Sequence, residues 1–230
     1  MEDSESEPGR PGLSRERILR AAVALADDDG IDALSMRKLA DVLGASTMAL
    51  YRHVAHKDDL LDGMIEMVYG EIETATAEAW RTTMRQRAIS MRAALRRHPW
   101  ALGLMENRSP GPANLHYHHV GVACLRAQAG LPIRAAIDAY NLMDSFVYGS
   151  ALQEKTLPVD MAAAAEARRR SLARADPALA DRFPYFIEIG DELAASGYDH
   201  DDQFDRGLAS ILDAIERLRA TSVSDASATG

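Results

Sequence analysis

The sequence has a single cysteine, Cys124, so a disulfide within the chain is excluded. With 15 glycines and 9 prolines among 230 residues, a collagen-like or low-complexity chain is excluded as well. The longest run without a charged residue, 109–125, contains two prolines and two glycines and therefore predicts no membrane span. Nothing near the N-terminus resembles a signal peptide. We expect a protein of the reducing cytoplasm with no membrane partner.

Residue types typical of strands are also scarce. Ala, Leu, Arg, Glu and Met are abundant, and no segment alternates polar and apolar residues with a period of two. The sequence therefore predicts an all-α protein, with a three-helix N-terminal domain at 13–60 and a larger helical domain at 61–220. The polar ends, 1–12 and 221–230, are predicted to be disordered tails.

Local signals delimit short helices near the N-terminus. Apolar residues recur at helical spacing over 13–29, and a glycine follows where that helix should stop. A second helix is predicted over 35–43, with Ser35 as its N-cap and Gly44 as its stop. A third, brief helix is predicted to start near Ser46.

The two helices on either side of Gly44 are predicted to form a helix-turn-helix. The glycine permits a tight reversal, and Leu39, Val42 and Leu50 can pack the pair against the first helix. The second helix of such a pair faces outward. A short helical pair with a glycine corner also occurs where it serves packing alone, and spacing by itself does not separate the two readings.

A local basic surface is needed for any nucleic-acid role, because the formal net charge of −9 disfavours a general polyanion binder. Residues 33–57 supply one, since they contain four cations and a single acid, Asp41. The cations are Arg37, Lys38, Arg52 and Lys57, accompanied by His53 and His56.

Different residue types contact different parts of the DNA. Cations and helix N-termini hold phosphates, whereas short polar or apolar side chains on a helix in the major groove read base edges. Ser46, Thr47, Met48 and Tyr51 lie on the third helix, where groove entry allows contact. Met48 or the methyl group of Thr47 suits a thymine methyl.

The run from 31 to 66, together with the preceding Gly30, resembles the DNA-binding domain of the tetracycline-repressor (TetR) family. The matching positions are Gly30, Ser35, Arg37, Leu39, Ala40, Gly44, Ala45, Ser46, Leu50, Tyr51, His53, Val54, Lys57 and Leu60. The resemblance implies a transcriptional repressor that binds double-stranded, palindromic operator DNA as a homodimer. The resemblance makes 13–60 the helix-turn-helix DNA-binding domain and 61–220 the ligand-binding and dimerisation domain. It also implies that a small-molecule effector in the C-terminal domain moves the fourth helix and separates the two DNA-binding domains of the dimer.

The same resemblance implies roles for single residues. Arg37, Thr47, Met48 and Tyr51 match positions that face bases or the adjacent backbone, and His53 and Lys57 match positions that contact phosphates. Ser35 and Ser46, at helix starts, complete the predicted DNA-binding set.

The ligand domain departs from the tetracycline repressor. Met105 and Glu73 stand where that repressor has a metal-chelating and a tetracycline-contacting histidine, so tetracycline is not the expected effector. Methionines adapt to irregular ligands, which favours an apolar cavity among residues 64–146. The predicted lining is Met64, Met67, Met91, Met105, His116, His119, Tyr140, Met143 and Phe146.

A dimer seam is predicted in the last helix, 203–220. Its apolar residues, which begin at Phe204 and end at Leu218, follow one another at spacings of 4, 3, 4 and 3. Together with a helix over 132–153 it is predicted to form a four-helix bundle with its two-fold mate. The predicted interface is Ile137, Tyr140, Val147, Leu208, Ile211 and Ile215.

Other clusters favour structural explanations. His116 and His119 share a helical face but have no Cys, Asp or Glu nearby in sequence, so no metal is predicted. Four arginines at 168, 169, 170 and 174 indicate a solvated helix face, with an anion site as the alternative. No nucleophile motif or phosphate-binding glycine loop occurs, and no enzyme or cofactor is predicted. A helical enzyme, or a ligand-binding protein without DNA recognition, remains the alternative function.

Overall fold

The computed structural model describes residues 12–74, 79–156, 161–175, 182–197 and 199–228, and this part of the chain is helical without strands, which confirms the all-α prediction. The helices are α1 Arg15–Asp29, α2 Met36–Leu43, α3 Thr47–Tyr51, α4 Lys57–Gly70, α5 Trp80–Arg97, α6 Pro112–Ala123, α7 Ile133–Thr156, α8 Met161–Ala175, α9 Pro184–Ser196 and α10 His200–Ala228. Short 3₁₀ turns occupy Ile31–Ala33, Pro99–Gly103 and Met105–Asn107, and a π-helical turn follows α6 at Cys124–Gln128. Within these ranges no helix combines the length and apolar character that crossing a bilayer requires.

The chain divides into two compact units. The first comprises 1–74 and 93–119, and the second comprises 75–92 and 120–230. The first unit therefore continues beyond the predicted domain end at residue 60. The reason is that α4 is amphipathic over its whole length, with Leu60, Met64 and Val68 fully buried, so it is not divided.

Side-chain caps start the first four helices. Ser14, Ser35 and Ser46 each accept a hydrogen bond through Oγ from the backbone N–H three residues on, at 3.2 Å, and His56 does the same through Nδ1 at 3.1 Å. Gly44 ends α2 at φ +63°, a left-handed conformation that suits glycine. The predicted cap at Ser35 and stop at Gly44 are confirmed.

The core of the first unit forms where α1, α2, α3 and α4 meet. Ile18, Leu39, Leu50 and Leu60 have no exposed surface. Val42, predicted to join this core, is instead 59% exposed. Successive helical residues are about 100° apart, and Val42 lies roughly a third of a turn away from the face that Leu39 shares with Ala40 and Leu43.

The core of the second unit includes the contact between α7 and α10. Leu208 and Ile215 of α10 and Val147 and Tyr140 of α7 are buried within the chain. The prediction that these four contact a partner is therefore corrected: the regular apolar seam of α10 is covered by the chain's own α7, so periodicity identified a buried face but not its partner.

The bounds of α10 also differ from the prediction. It begins at His200 because the carboxylate of Asp199 accepts hydrogen bonds from the backbone N–H of Asp201 at 2.6 Å and of Asp202 at 3.3 Å. It continues to Ala228, where a tail from 221 was predicted, since no proline or glycine interrupts 221–228. Residues 1–11 of the predicted N-terminal tail and 229–230 of the predicted C-terminal tail lie outside the described residues.

Candidate nucleic-acid interface

The turn between α2 and α3 orients α3. Ala45 N–H donates to the carbonyl of Ala40 at 3.0 Å, and Gly44 N–H to the carbonyl of Asp41 at 3.2 Å, which closes the end of α2. Leu50 then anchors α3, since its side chain is fully buried. The other side of α3 consequently faces outward.

The predicted base-reading residues lie on this outward side. Met48 is 74% exposed and Tyr51 45% exposed, although both are large apolar side chains that usually pack inside. Thr47 and Arg37 are exposed as well. The structure thus brings these four side chains to the surface of the helix-turn-helix.

The two serines predicted to bind DNA have a defined local role. Ser35 and Ser46 are exposed, and each uses its hydroxyl oxygen to cap the helix that it precedes. A hydroxyl still has its own proton to donate. Capping therefore leaves both serines able to donate a hydrogen bond to a phosphate oxygen.

Two of the predicted cations contact the protein itself. The Lys57 ammonium donates to the carbonyl of Leu34 at 3.1 Å, which places it beside the start of α2. Lys38 forms an ion pair with Asp29 at 2.7 Å. Because an ammonium carries three donors, the bond to Leu34 leaves Lys57 with donors for a phosphate.

A cluster that the sequence did not predict pins the turn between α3 and α4. Arg15 of α1 donates to Asp59 Oδ1 at 2.6 Å, to Asp59 Oδ2 at 3.0 Å and to the carbonyl of His53 at 3.1 Å. Asp59 in turn accepts from the backbone N–H of Ala55 at 2.7 Å. The hydrogen bond from Arg15, followed by the one from Ala55, lowers the pKa of Asp59 to about 2.

A second set of contacts joins α4 to the first turn of α6. The Glu66 carboxylate accepts hydrogen bonds from the backbone N–H of Ala113 and Asn114, the latter at 3.4 Å. Farther along the same helices the rings of Tyr69 and Tyr117 lie 5.3 Å apart. Since 47 residues separate Glu66 from Ala113, no local pattern in the sequence indicates this link.

A buried histidine joins three parts of the first unit. His98 lies with Nδ1 2.8 Å from Asp27 and Nε2 3.1 Å from Glu71, and Trp100 Nε1 donates to the same Asp27 oxygen at 2.6 Å. The cluster connects the end of α1 and the end of α4 to the segment after α5. Because Asp27 and Glu71 are 71 and 27 residues away from His98, no local pattern in the sequence indicates this cluster.

The predicted ligand-lining residues are divided between the two units. In the first, Met64 and Met105 are buried and Met67 is half-buried, while His116 and His119 are exposed on α6. The second contains Met91, Tyr140, Met143 and Phe146, of which only Phe146 is not fully enclosed. The structure does not bring the two histidines into an interior.

A buried polar group in the second unit surrounds Tyr140. Its hydroxyl accepts from Arg87 at 2.9 Å, and Arg87 is paired with Asp144 at 3.3 Å. Burial raises the pKa of Tyr140, so its hydroxyl remains protonated at neutral pH.

The arginines of α8 were predicted to lie on a solvated helix face. One of them, Arg169, is solvent-exposed and forms an ion pair with Glu166 at 3.0 Å.

Comparison with known proteins agrees with this geometry. Residues 18–64 match the family model "Bacterial regulatory proteins, tetR family", and residues 74–219 match "Tetracyclin repressor-like, C-terminal domain". The HTH-type transcriptional repressor DrrR1 of Streptomyces coeruleorubidus is 31% identical over 220 residues, covering 92% of this chain and 80% of that protein. An HTH-type transcriptional regulator of Saccharopolyspora erythraea is 34% identical over 209 residues, covering 88% and 84% respectively. The crystal structure of ActR from Streptomyces coelicolor in complex with actinorhodin matches with a TM-score of 0.74 at 28% identity, covering 89% of this chain and 97% of that one.

Proposed function

The chain belongs to the TetR family of bacterial transcriptional regulators. We propose that it represses transcription by binding a palindromic operator as a homodimer until a small-molecule effector releases it. The observation that carries the proposal is the exposure of Thr47, Met48 and Tyr51 on a helix anchored by Leu50. Large apolar side chains held outward, among cations in an otherwise acidic protein, suit base edges and phosphates. Arg37, Ser35, Ser46, His53 and Lys57 are assigned to the surrounding contacts.

The homodimer is assigned to the outer face of α7 and the adjoining edge of α10. Ile133, Ile137 and Leu152 are all at least 41% exposed and lie within about 100° of one another around α7. On α10, half-buried Ile211 and exposed Leu218 adjoin the covered seam. These residues replace Tyr140, Val147, Leu208 and Ile215 as the proposed apolar contact.

The dimer sets the geometry of the operator. Two recognition helices in successive major grooves are about 34–36 Å apart, which corresponds to half-sites repeating at roughly 10 base pairs. Such a protein works on chromosomal DNA, so we place it in the cytoplasm.

The effector is proposed to be a small molecule because ActR is known in complex with actinorhodin. Release requires that the effector bind the DNA-incompetent state more tightly than the DNA-competent one. The contacts of Glu66 with the first turn of α6 offer the route by which movement of α6 reaches α4. By reciprocity, operator DNA weakens effector binding to the same degree.

Selection of binding sites from random duplex DNA by the purified protein tests the proposal. We expect a palindrome with half-sites at the stated spacing, and release of that DNA by one member of a panel of small molecules. A helical enzyme would instead turn over a bound compound and enrich no sequence. A ligand-binding protein without DNA recognition would bind a compound and enrich no sequence.

A further inference from the structure

We propose that Arg15 and Asp59 form a positioning pair that holds the α3–α4 turn, residues 52–56, in the shape that contacts the DNA backbone. The inference rests on the proposed DNA-binding function but concerns residues outside the recognition helix. Neither residue is needed to read a base. Both act through the main chain of the turn.

The pair forms hydrogen bonds with two main-chain groups of the turn, one through each residue. The Arg15 guanidinium lies at the start of α1 and donates to the carbonyl of His53 at 3.1 Å. It also donates to both carboxylate oxygens of Asp59, to Oδ1 at 2.6 Å and to Oδ2 at 3.0 Å. The Asp59 carboxylate also accepts a hydrogen bond from the backbone N–H of Ala55 at 2.7 Å. Two main-chain groups of the turn are therefore held by one bidentate, charge-assisted ion pair, which is partly exposed to solvent.

The pair also ties the turn to a helix far away in sequence. Arg15 and Asp59 are 44 residues apart, and beside them α1 and α4 approach closely, since a Cβ atom at Gly63 would meet the side chain of Leu19. The other described bonds of the turn are local. His53 and Val54 donate from N–H to the carbonyl of Leu50, and His56 accepts from the N–H groups of Asp59 and Leu60 at the start of α4. Arg15 and Asp59 thus tie the turn to α1, in addition to the anchor that the buried side chain of Val54 provides.

The turn carries the groups assigned to phosphates. His53 lies within it, and Lys57 follows directly as the first residue of α4. A displacement of the turn would move both relative to the DNA backbone, whereas Leu50 would still hold the outward face of α3. Loss of the pair is therefore expected to weaken binding to all sequences and to leave the base preference unchanged.

The direction in which Asp59→Asn changes DNA affinity distinguishes a positioning role from a purely electrostatic one. Asp59→Asn removes a negative charge near DNA, which by charge alone should strengthen binding. If Asp59 acts by holding Arg15 and Ala55, the same change weakens binding. A direct phosphate contact by Arg15 would give the opposite result, because Asp59→Asn would free the guanidinium for DNA.

The test uses the full chain, the palindrome selected by the wild-type protein and a scrambled duplex. Asp59→Asn and Arg15→Gln should each lower affinity for both duplexes by about tenfold, a loss typical of a charged hydrogen bond. The slope of affinity against salt should fall by about one per protomer. The double variant should lose no more than the weaker-binding single variant, because the two residues act as one unit. Arg15→Lys keeps the charge but loses the planar group that bonds both carboxylate oxygens. Its DNA affinity should lie between those of the wild type and Arg15→Gln.

Matched variants control for charge. Arg20→Gln removes a cation from the same helix, where it pairs with Glu16 one turn away, and should leave DNA affinity unchanged. Asp41→Asn removes an exposed acid from α2 and should leave affinity unchanged or raise it. Circular dichroism confirms that each variant is folded at the assay temperature.

Three outcomes would overturn the positioning pair. They are tighter binding by Asp59→Asn, additive losses in the double variant, and an altered base preference in either single variant. If the wild-type protein selects no sequence at all, the proposed function fails instead, so the two failures are distinguishable.

Discussion

The carboxylate of Glu66 on α4 accepts a hydrogen bond from the backbone N–H of Ala113 in the first turn of α6. A helix N-terminus carries partial positive charge and leaves N–H groups without helical partners, so an acidic side chain is well suited to this place. The bond ties the helix that follows the helix-turn-helix to a helix whose other end, from 120 onward, belongs to the second unit. In the proposed mechanism it transmits displacement of α6 to the DNA-binding residues.

Removing the Glu66 charge should destabilise the protein. Glu66→Gln is expected to lower the free energy of unfolding by about 1 kcal/mol, because a neutral amide is a weaker partner for the two N–H groups of α6. Gly111→Ala should cause a similar loss, since its Cβ would meet the Glu66 carboxylate and displace it. Urea unfolding followed by circular dichroism measures both. Exposed Glu188 on α9 serves as control, and a Glu188→Gln variant as unstable as Glu66→Gln would contradict the capping role.

Residues of α3 and the cation of α4 should affect DNA binding differently. Met48→Ala and Tyr51→Ala should change which bases are selected, because both side chains are exposed on the proposed reading face. Lys57→Ala should weaken all sequences and lower the salt slope by about one per protomer. Arg170→Ala, at an exposed position of α8 outside the helix-turn-helix, is the charge-matched control and should change neither quantity. Uniform losses for all three test variants would refute this division of roles.

Acid should remove the stabilisation that Asp59 provides. Its pKa is lowered from 3.8 to about 2 in the folded protein, so the unfolded state binds the proton more readily. The contribution is therefore complete above about pH 4 and is lost as the pH falls towards 2. In urea unfolding, the difference in midpoint between wild type and Asp59→Asn should be constant from pH 7 to 5 and shrink at lower pH. A difference that persists unchanged at pH 2 would show that the ion pair does not stabilise the fold.

Substitutions on the proposed dimer face of α7 should change the oligomeric state, whereas substitutions in the buried seam of α10 should change stability. Ile137→Glu should give monomers in sedimentation velocity, because it places a charge on the proposed apolar contact. Leu142→Glu is the matched control, since Leu142 is 48% exposed on the same helix but roughly 140° around it from Ile137. Leu208→Ala should instead lower stability by about 2–5 kcal/mol, as expected for a fully buried leucine. Monomers from Leu142→Glu together with dimers from Ile137→Glu would place the interface elsewhere.

Local sequence signals predicted the parts of the fold that depend on neighbouring residues. Ser35 and Gly44 act as cap and stop because capping bonds and a left-handed turn span only a few residues. The exposure of Met48 and Tyr51 followed from the same short pattern, since Leu50 can face the core only if they face away. Periodicity was less informative at Val42, which lies beside the apolar face of α2 rather than within it.

Contacts between distant residues were beyond such signals. Arg15 and Asp59, or Glu66 and Ala113, meet only because α1, α4 and α6 pack together, and each pair is more than 40 residues apart. The α10 seam illustrates the same limit. Its spacing showed that Leu208 and Ile215 are buried, but the identity of the covering helix is a property of the tertiary fold.

Sequence-specific DNA binding is the central claim, and a fluorescence anisotropy titration tests it most directly. The purified protein is titrated into a labelled duplex of the selected palindrome and into a scrambled duplex of equal composition, at physiological salt. We predict that the palindrome binds at least about a thousandfold more tightly, the lower end of the range for specific recognition. Equal affinity for the two duplexes would contradict the account.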